Sequence, residues 1–242
     1  MSQPAVAALA PLPFELVYSD GEPLETKWHV LQIGLFFDVI GQAMAEHGQT
    51  DYYVGGDMFV YHSREQARDV AKGKPYFRGP DVFWVDGVDP RSDRKAWVAW
   101  EEGGRLPDFI VELLSPSTAK IDRTVKKDLY ARVFRTAEYC LYDPETRKLE
   151  GFRLQGGAYR PLALDEQGRL WSEQLGAFLG LWHGVVREQE DEWVRLFRPD
   201  SSLVPTEAEA ERLRADAECL RAEAAEAEVA RLRALLNERG RS

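Results

Sequence analysis

The chain has little of what a zinc, redox or membrane protein requires. Its two cysteines, Cys140 and Cys219, are far apart in sequence and form no Cys-x-x-Cys pair. Neither a zinc ribbon nor a disulfide framework is suggested. Its four histidines, His29, His47, His62 and His183, show no His-x-x-x-His spacing, which argues against a dedicated zinc site. There is no excess of positive charge: the net charge is −10. Such a chain is a poor non-specific polyanion binder, and any nucleic-acid contact needs a local basic patch. No run approaches the ~20 apolar residues of a membrane span. The first residues carry no basic region followed by an apolar stretch. The expectation is a soluble protein of the reducing cytoplasm with no membrane partner.

Core-forming residues are plentiful. Hydrophobic residues make up 44% of the chain and aromatics 11%, too many for a disordered polymer. Between 28 and 48, apolar residues at 28, 31, 35, 36, 39, 40 and 43 have helical spacing, and Gly48 is a natural stop. "DYYVGGDMFVYHS" reads as a strand, a Gly-Gly interruption and a strand. "REQARDVAKGK" reads as a polar loop or short helix, and "GPDVFWVD" as a short strand opened by Pro80. "VDPRSDRKAWVAWEEGGRLP" reads as a long polar connection. A strand at 108–115, the turn "SPST" and a helix from about 122 to 134 follow, then several short strands with turn signals. The globular part closes near residue 200, giving a division into 1–200 and 201–242.

Beyond Pro205-Thr206 the sequence is almost all Ala, Glu, Arg and Leu until Gly240. It predicts a helix of about 50 Å. Its apolar stripe is narrow and alanine-rich. Two readings stand: a solvated single helix, or a seam for a homodimer or for docking through residues 206–240.

The sharpest signal is "FIVELLS", an apolar strand with a carboxylate inside it. An ionised Glu112 in such a place costs several kcal/mol without a partner. Asp81 opens the preceding apolar strand. If the two strands pair antiparallel, Asp81 falls near Glu112 at ~5 Å. Two close carboxylates stay ionised only with a cation or donors, and an oxygen-only pair suits Mg²⁺ or Mn²⁺. Asp122, Lys126 and Tyr130 follow at i, i+4 and i+8 and share one helix face, so Lys126 can reach back to the acids. Two acids, a divalent ion and a lysine suit phosphodiester hydrolysis. The structural alternatives are a buried pair of Glu112 with Arg123 or Arg132, Asp81 as a turn residue and Lys126 as a solvated charge. Asp108 lies four residues, roughly 13 Å, from Glu112 along the strand. It reads as a strand-start residue unless a bulge intervenes.

"GPDVFWV", "LPDFIVELLSPSTAKIDRTVKKDLYARVFRTAEYCLYDPE", "DGEPLETKWHVLQIGLFFDVI" and "YVGGDMFVY" together resemble the Uma family of bacterial proteins, over roughly residues 15–185. That family is classed with the endonucleases of the PD-(D/E)XK, restriction-endonuclease-like superfamily. The resemblance implies an α/β fold with a mixed central sheet flanked by helices, a C-terminal coiled-coil-like helix, and a Mg²⁺-dependent nuclease site acting on DNA. By motif, Asp81 and Glu112 match the metal-binding acids. The superfamily's lysine position is Leu114 here, and Lys126 takes that role from the following helix. Asp108 belongs to the signature. Glu22, Glu25 and His29 fall where related nucleases add a carboxylate, with Glu25 the better match or else a helix-capping residue. Ala137 stands where the family often has Pro, which affects a turn rather than the chemistry.

Overall fold

A computed structural model describes residues 12–17, 26–73, 79–90 and 93–239, the side chains of 234–239 excepted. The first helix, α1 (Lys27–Glu46), starts at Thr26, whose hydroxyl accepts the His29 N–H, the usual way of satisfying a free first-turn donor. It is followed by β1 (Tyr52–Gly55), β2 (Val60–Tyr61), α2 (Arg64–Ala71), β3 (Val82–Asp86), β4 (Trp97–Val98) and β5 (Phe109–Leu113). A helix over residues 119–134, α3, leads to β6 (Glu138–Asp143), β7 (Lys148–Gln155) and β8 (Ala158–Pro161). The chain continues through β9 (Leu170–Ser172), β10 (Ala177–Val186) and β11 (Gln189–Phe197), and ends in α4 (Glu207–Arg239).

The central sheet has the order β1-β3-β5-β6-β7-β8. Only β5 and β6 pair in parallel, with α3 as their crossover; every other neighbouring pair is antiparallel. A crossover helix is what a parallel pair requires. All five residues of β5 are buried, as expected of a central strand covered on both faces. Phe109, Val111 and Leu113 point into a core with Phe36 and Val39 of α1 and with Leu179, Trp193 and Leu196 of the three-stranded sheet β11-β10-β9. Gln32 of α1 ties these layers together: its amide donates to Val194 O at 3.0 Å and accepts from Val194 N at 2.8 Å. Ile110 points the other way, into a core with Phe83, Tyr130, Phe134, Tyr139 and Leu141. With period-two alternation, Glu112 faces the same side, toward α3.

This is an α/β fold with a mixed central sheet, covering helices and a C-terminal helix, as the restriction-endonuclease-like class predicts. Two readings need correction. The long polar connection at 87–107 contains β4, which pairs in parallel with β2. Trp97 is fully buried there, its indole N–H donating to Arg105 O at 2.9 Å. Secondly, residues just past 200 remain packed on the globular part. Val204 is in the core, and buried Arg195 pairs with Glu209 at 2.7 Å and donates to Val204 O at 3.0 Å. Glu209 also accepts from Thr206 N, and Thr206 Oγ1 accepts from Glu209 N, a capping box at the start of α4. Beyond that turn, Leu213, Leu220, Val229 and Leu232 are exposed.

Candidate active site

Two glycine-bearing segments meet where β3 begins. A Cβ on Gly79 would stand 1.7 Å from Met58 O, and one on Gly56 would stand 2.6 Å from Asp81 O. Only glycine lets the backbones approach this closely. That contact sets the entry of Gly79-Pro80-Asp81 into the sheet. The β3–β5 register, with Val82 opposite Val111, continues to place Asp81 opposite Glu112. The Asp81 N–H donates to Glu112 Oε2 at 3.4 Å, and Leu113 N–H donates to Asp81 Oδ2 at 2.6 Å.

The "SPST" turn is closed by Ala119 N–H donating to Ser115 O at 2.9 Å and by a 3.0 Å hydroxyl contact between Ser115 and Thr118. It sends α3 back across the sheet. Asp122–Lys126 and Tyr130–Phe134 of α3 are π-wound, a form that concentrates at functional sites. Lys126 Nζ lies 2.9 Å from Glu112 Oε2 and 2.8 Å from Asp122 Oδ1. The Tyr130 hydroxyl donates to Glu112 Oε1 at 2.8 Å. Tyr139 donates to Asp122 O at 3.0 Å and pins the first π turn.

The electrostatics follow from this crowding. Glu112 is wholly buried, and its carboxyl is raised to about 8, first by burial against the pull of Lys126, with Asp81 and Asp122 adding to the rise. Asp81 is also raised, mainly by burial, against the pull of Lys126 and the Leu113 N–H. Burial opposes the charge on Lys126, yet Glu112, Asp122 and Asp81 hold its ammonium above the ordinary lysine value. Three carboxylates thus surround one ammonium.

Asp81, Glu112 and Lys126 come together. Asp108 does not join them: it sits at the far end of β5, accepting from Asp86 N–H at 2.9 Å, with Arg105 3.7 Å away. The β5 register with β6 runs unbroken from Phe109 to Leu113, so no bulge shortens the distance. Arg123 is not the partner of Glu112; it pairs with Glu150 and lies 3.9 Å from Asp143. Glu25 and Glu22 lie outside the described residues. His29 bonds to Thr26 Oγ1 at 2.8 Å. Two further acids border the cluster. Spacing alone puts Asp122 only on the Lys126 face. Asp57 lies two residues past β1, opposite Asp81 if the β1–β3 register is extended, and its carboxyl is raised by burial and then by Asp81. The signal for Asp122 was its i, i+4 spacing to Lys126; that for Asp57 was the Gly-Gly-Asp run.

The donor set can be tested against a divalent ion. Among the described residues no three His, Cys, Asp or Glu side chains form a ready-made metal cage. Asp81 and Glu112 nevertheless supply the oxygen donors that hard cations take alongside water. A divalent ion would favour the ionised forms of Asp81 and Glu112 that burial and mutual repulsion oppose. Asp81 and Glu112 therefore fit such an ion.

The family model described as "putative restriction endonuclease", Uma2, matches residues 9–187. The chain belongs to the Uma2 family. The Uma2 match takes in α1, the whole central sheet and α3, hence every residue of the cluster around Glu112, and stops short of β11 and α4. A search of curated proteins finds no match. Among the described residues no helix is long and apolar enough to cross a membrane.

Proposed function

We propose that this Uma2-family chain is a metal-dependent nuclease that hydrolyses phosphodiester bonds in DNA. In this reading Asp81 and Glu112 hold Mg²⁺ or Mn²⁺, and Lys126 is the site's fixed positive charge. The observation that carries it is the meeting of Asp81, Glu112 and Lys126 where β3 begins, with more carboxylate than ammonium in a buried setting. Asp81 and Glu112 would hold the divalent ion, which when bound would supply a Lewis acid for the phosphoryl oxygen and lower the pKa of a bound water. The chain's own groups do the positioning. Leu113 N–H orients Asp81, and Tyr130 holds one oxygen of Glu112. The Lys126 ammonium orients the attacking water or stabilises charge on phosphate oxygens. A homodimer through the exposed apolar residues of α4 would suit cutting of both strands.

The test is divalent-dependent cleavage of plasmid and single-stranded DNA by the full chain. Glu112→Gln should abolish cleavage with the fold kept, and Lys126→Ala should lower turnover more than metal affinity. Equal cleavage by wild type and Glu112→Gln would remove the site from the reaction.

One observation favours a second reading, a binding module that keeps the fold without catalysis. Glu112 is already bonded at both oxygens, by Lys126 and Tyr130. A wild-type chain that retains DNA or a protein partner and cleaves no DNA with any divalent ion would support it.

A further inference from the structure

We propose that Asp122 is the positioning residue of the site, acting through Lys126. This rests on the nuclease reading above and adds a role to a residue that the reading leaves idle. Asp122 is 1% exposed, and its Oδ1 lies 2.8 Å from Lys126 Nζ. Its sequence neighbour Arg123 turns away to Glu150 and Asp143. Lys126 therefore stands between two buried carboxylates, 2.9 Å from Glu112 on one side and 2.8 Å from Asp122 on the other.

The winding of α3 makes this possible. In an α-helix, side chains four apart drift by ~40° around the axis, so Asp122 and Tyr130 would diverge by ~80°. A π stretch turns less per residue because its hydrogen bonds close over five residues. The π winding over Asp122–Lys126 offsets the drift of the α-wound Lys127–Leu129. Both Lys126 and Tyr130 then reach Glu112. Tyr139 holds the turn through the Asp122 carbonyl.

A lysine has four rotatable side-chain bonds, and a single contact to Glu112 leaves it free to swing. The ion pair to Asp122, a charge contact without hydrogen-bond geometry, holds the ammonium from a second side where it faces Glu112. If the pair Glu112–Lys126 served packing alone, a third buried acid would only add repulsion and desolvation cost. Asp122 contacts Lys126 directly and reaches Glu112 and Asp81 only through its charge, so its contact acts on the lysine while its charge also adds to the acidity of the site.

The experiment compares wild type, Asp122→Asn, Lys126→Ala and the double variant as full chains. The first readout is labelling by a small acylating reagent, mapped by peptide mass spectrometry, with Lys127 as the internal reference. Asp122→Asn should raise the Lys126/Lys127 labelling ratio by about tenfold, the scale of a contact pair's coupling. The second readout is DNA cleavage and Mn²⁺ affinity. Asp122→Asn should lower kcat at saturating Mn²⁺ by about tenfold, and the double variant should be no slower than Lys126→Ala. An unchanged labelling ratio, or losses that multiply in the double variant, overturns the proposal. If wild type cleaves nothing, the nuclease reading fails, and the labelling ratio still decides the role of Asp122. Should Asp122→Asn not fold, Asp122→Glu takes its place: Lys126 stays protected, kcat falls and Mn²⁺ affinity holds, whereas wild-type kcat overturns the assignment.

Discussion

The backbone N–H of Leu113 donates to the carboxylate of Asp81 at 2.6 Å, one residue past Glu112. This bond joins the opening of β3 to the end of β5 and orients Asp81 without using any other side chain. Asn at this position keeps a carbonyl oxygen for the Leu113 N–H and loses the charge. Asp81→Asn should therefore stay within about 1 kcal/mol of wild-type stability, since one hydrogen bond is conserved, and lose divalent binding. Chemical denaturation and a metal titration on the same sample check both halves.

Stability should depend on pH in a definite direction. The Glu112 carboxyl lies near 8 in the fold against an ordinary 4.5, raised first by burial. A raised folded value means that the folded state binds the proton more tightly. The contribution of this group is fully present below 4.5 and is lost as pH rises through about 8. Lys126 does not alter this window, because its value is raised above 10.5 and its own contribution fades only above that. The stability of wild type relative to Glu112→Gln should fall from pH 5 to pH 9 in metal-free buffer, measured by thermal unfolding. A difference that is flat or rises across that range would contradict the raised value of the buried Glu112 carboxyl.

Two glycines with opposite surroundings give a control on the geometry. Gly79→Ala places a methyl against Met58 O and should cost about 3 kcal/mol or more through backbone displacement. Gly34, on α1, has nothing within 4 Å of an added Cβ. Gly34→Ala should be neutral or stabilising by up to about 1 kcal/mol from helix propensity. Denaturant midpoints of the two variants make the comparison.

Truncation should discriminate between the two parts of the C-terminal region. A chain ending at Asp200 loses core residue Val204 and leaves buried Arg195 without Glu209. It should be less stable by about 1–3 kcal/mol. A chain ending at Arg214 keeps those contacts and loses most of the exposed stripe, so it should retain stability and self-associate less than the full chain. Light scattering and thermal unfolding of the three chains check this.

The site was legible where it depends on strand parity and helix spacing. Asp81 opposite Glu112 follows from two apolar strands each carrying one acid, and Lys126 with Tyr130 follows from the i+4 pattern. What resisted reading depends on contacts distant in sequence. β4 is two residues long, set among charged residues, and exists because Trp97 packs on Phe83 and Tyr53. The π winding of α3 has no propensity signature and arises from Tyr139 and Glu112 engaging the helix from other strands. Asp108 has the strand parity of a ligand, but one end of β5 cannot serve the other. The buried Arg195 looks from sequence like one more charge on an exposed strand, and only its packing against Val204 and Glu209 shows how the start of α4 is held.

The most direct test of the account is calorimetric titration of the metal-free full chain with Mn²⁺ and Mg²⁺, wild type against Glu112→Gln. Wild type should bind at one site and Glu112→Gln should not, with both chains folded. Absence of binding in wild type, or equal binding in the two, would contradict the metal site proposed at Asp81 and Glu112.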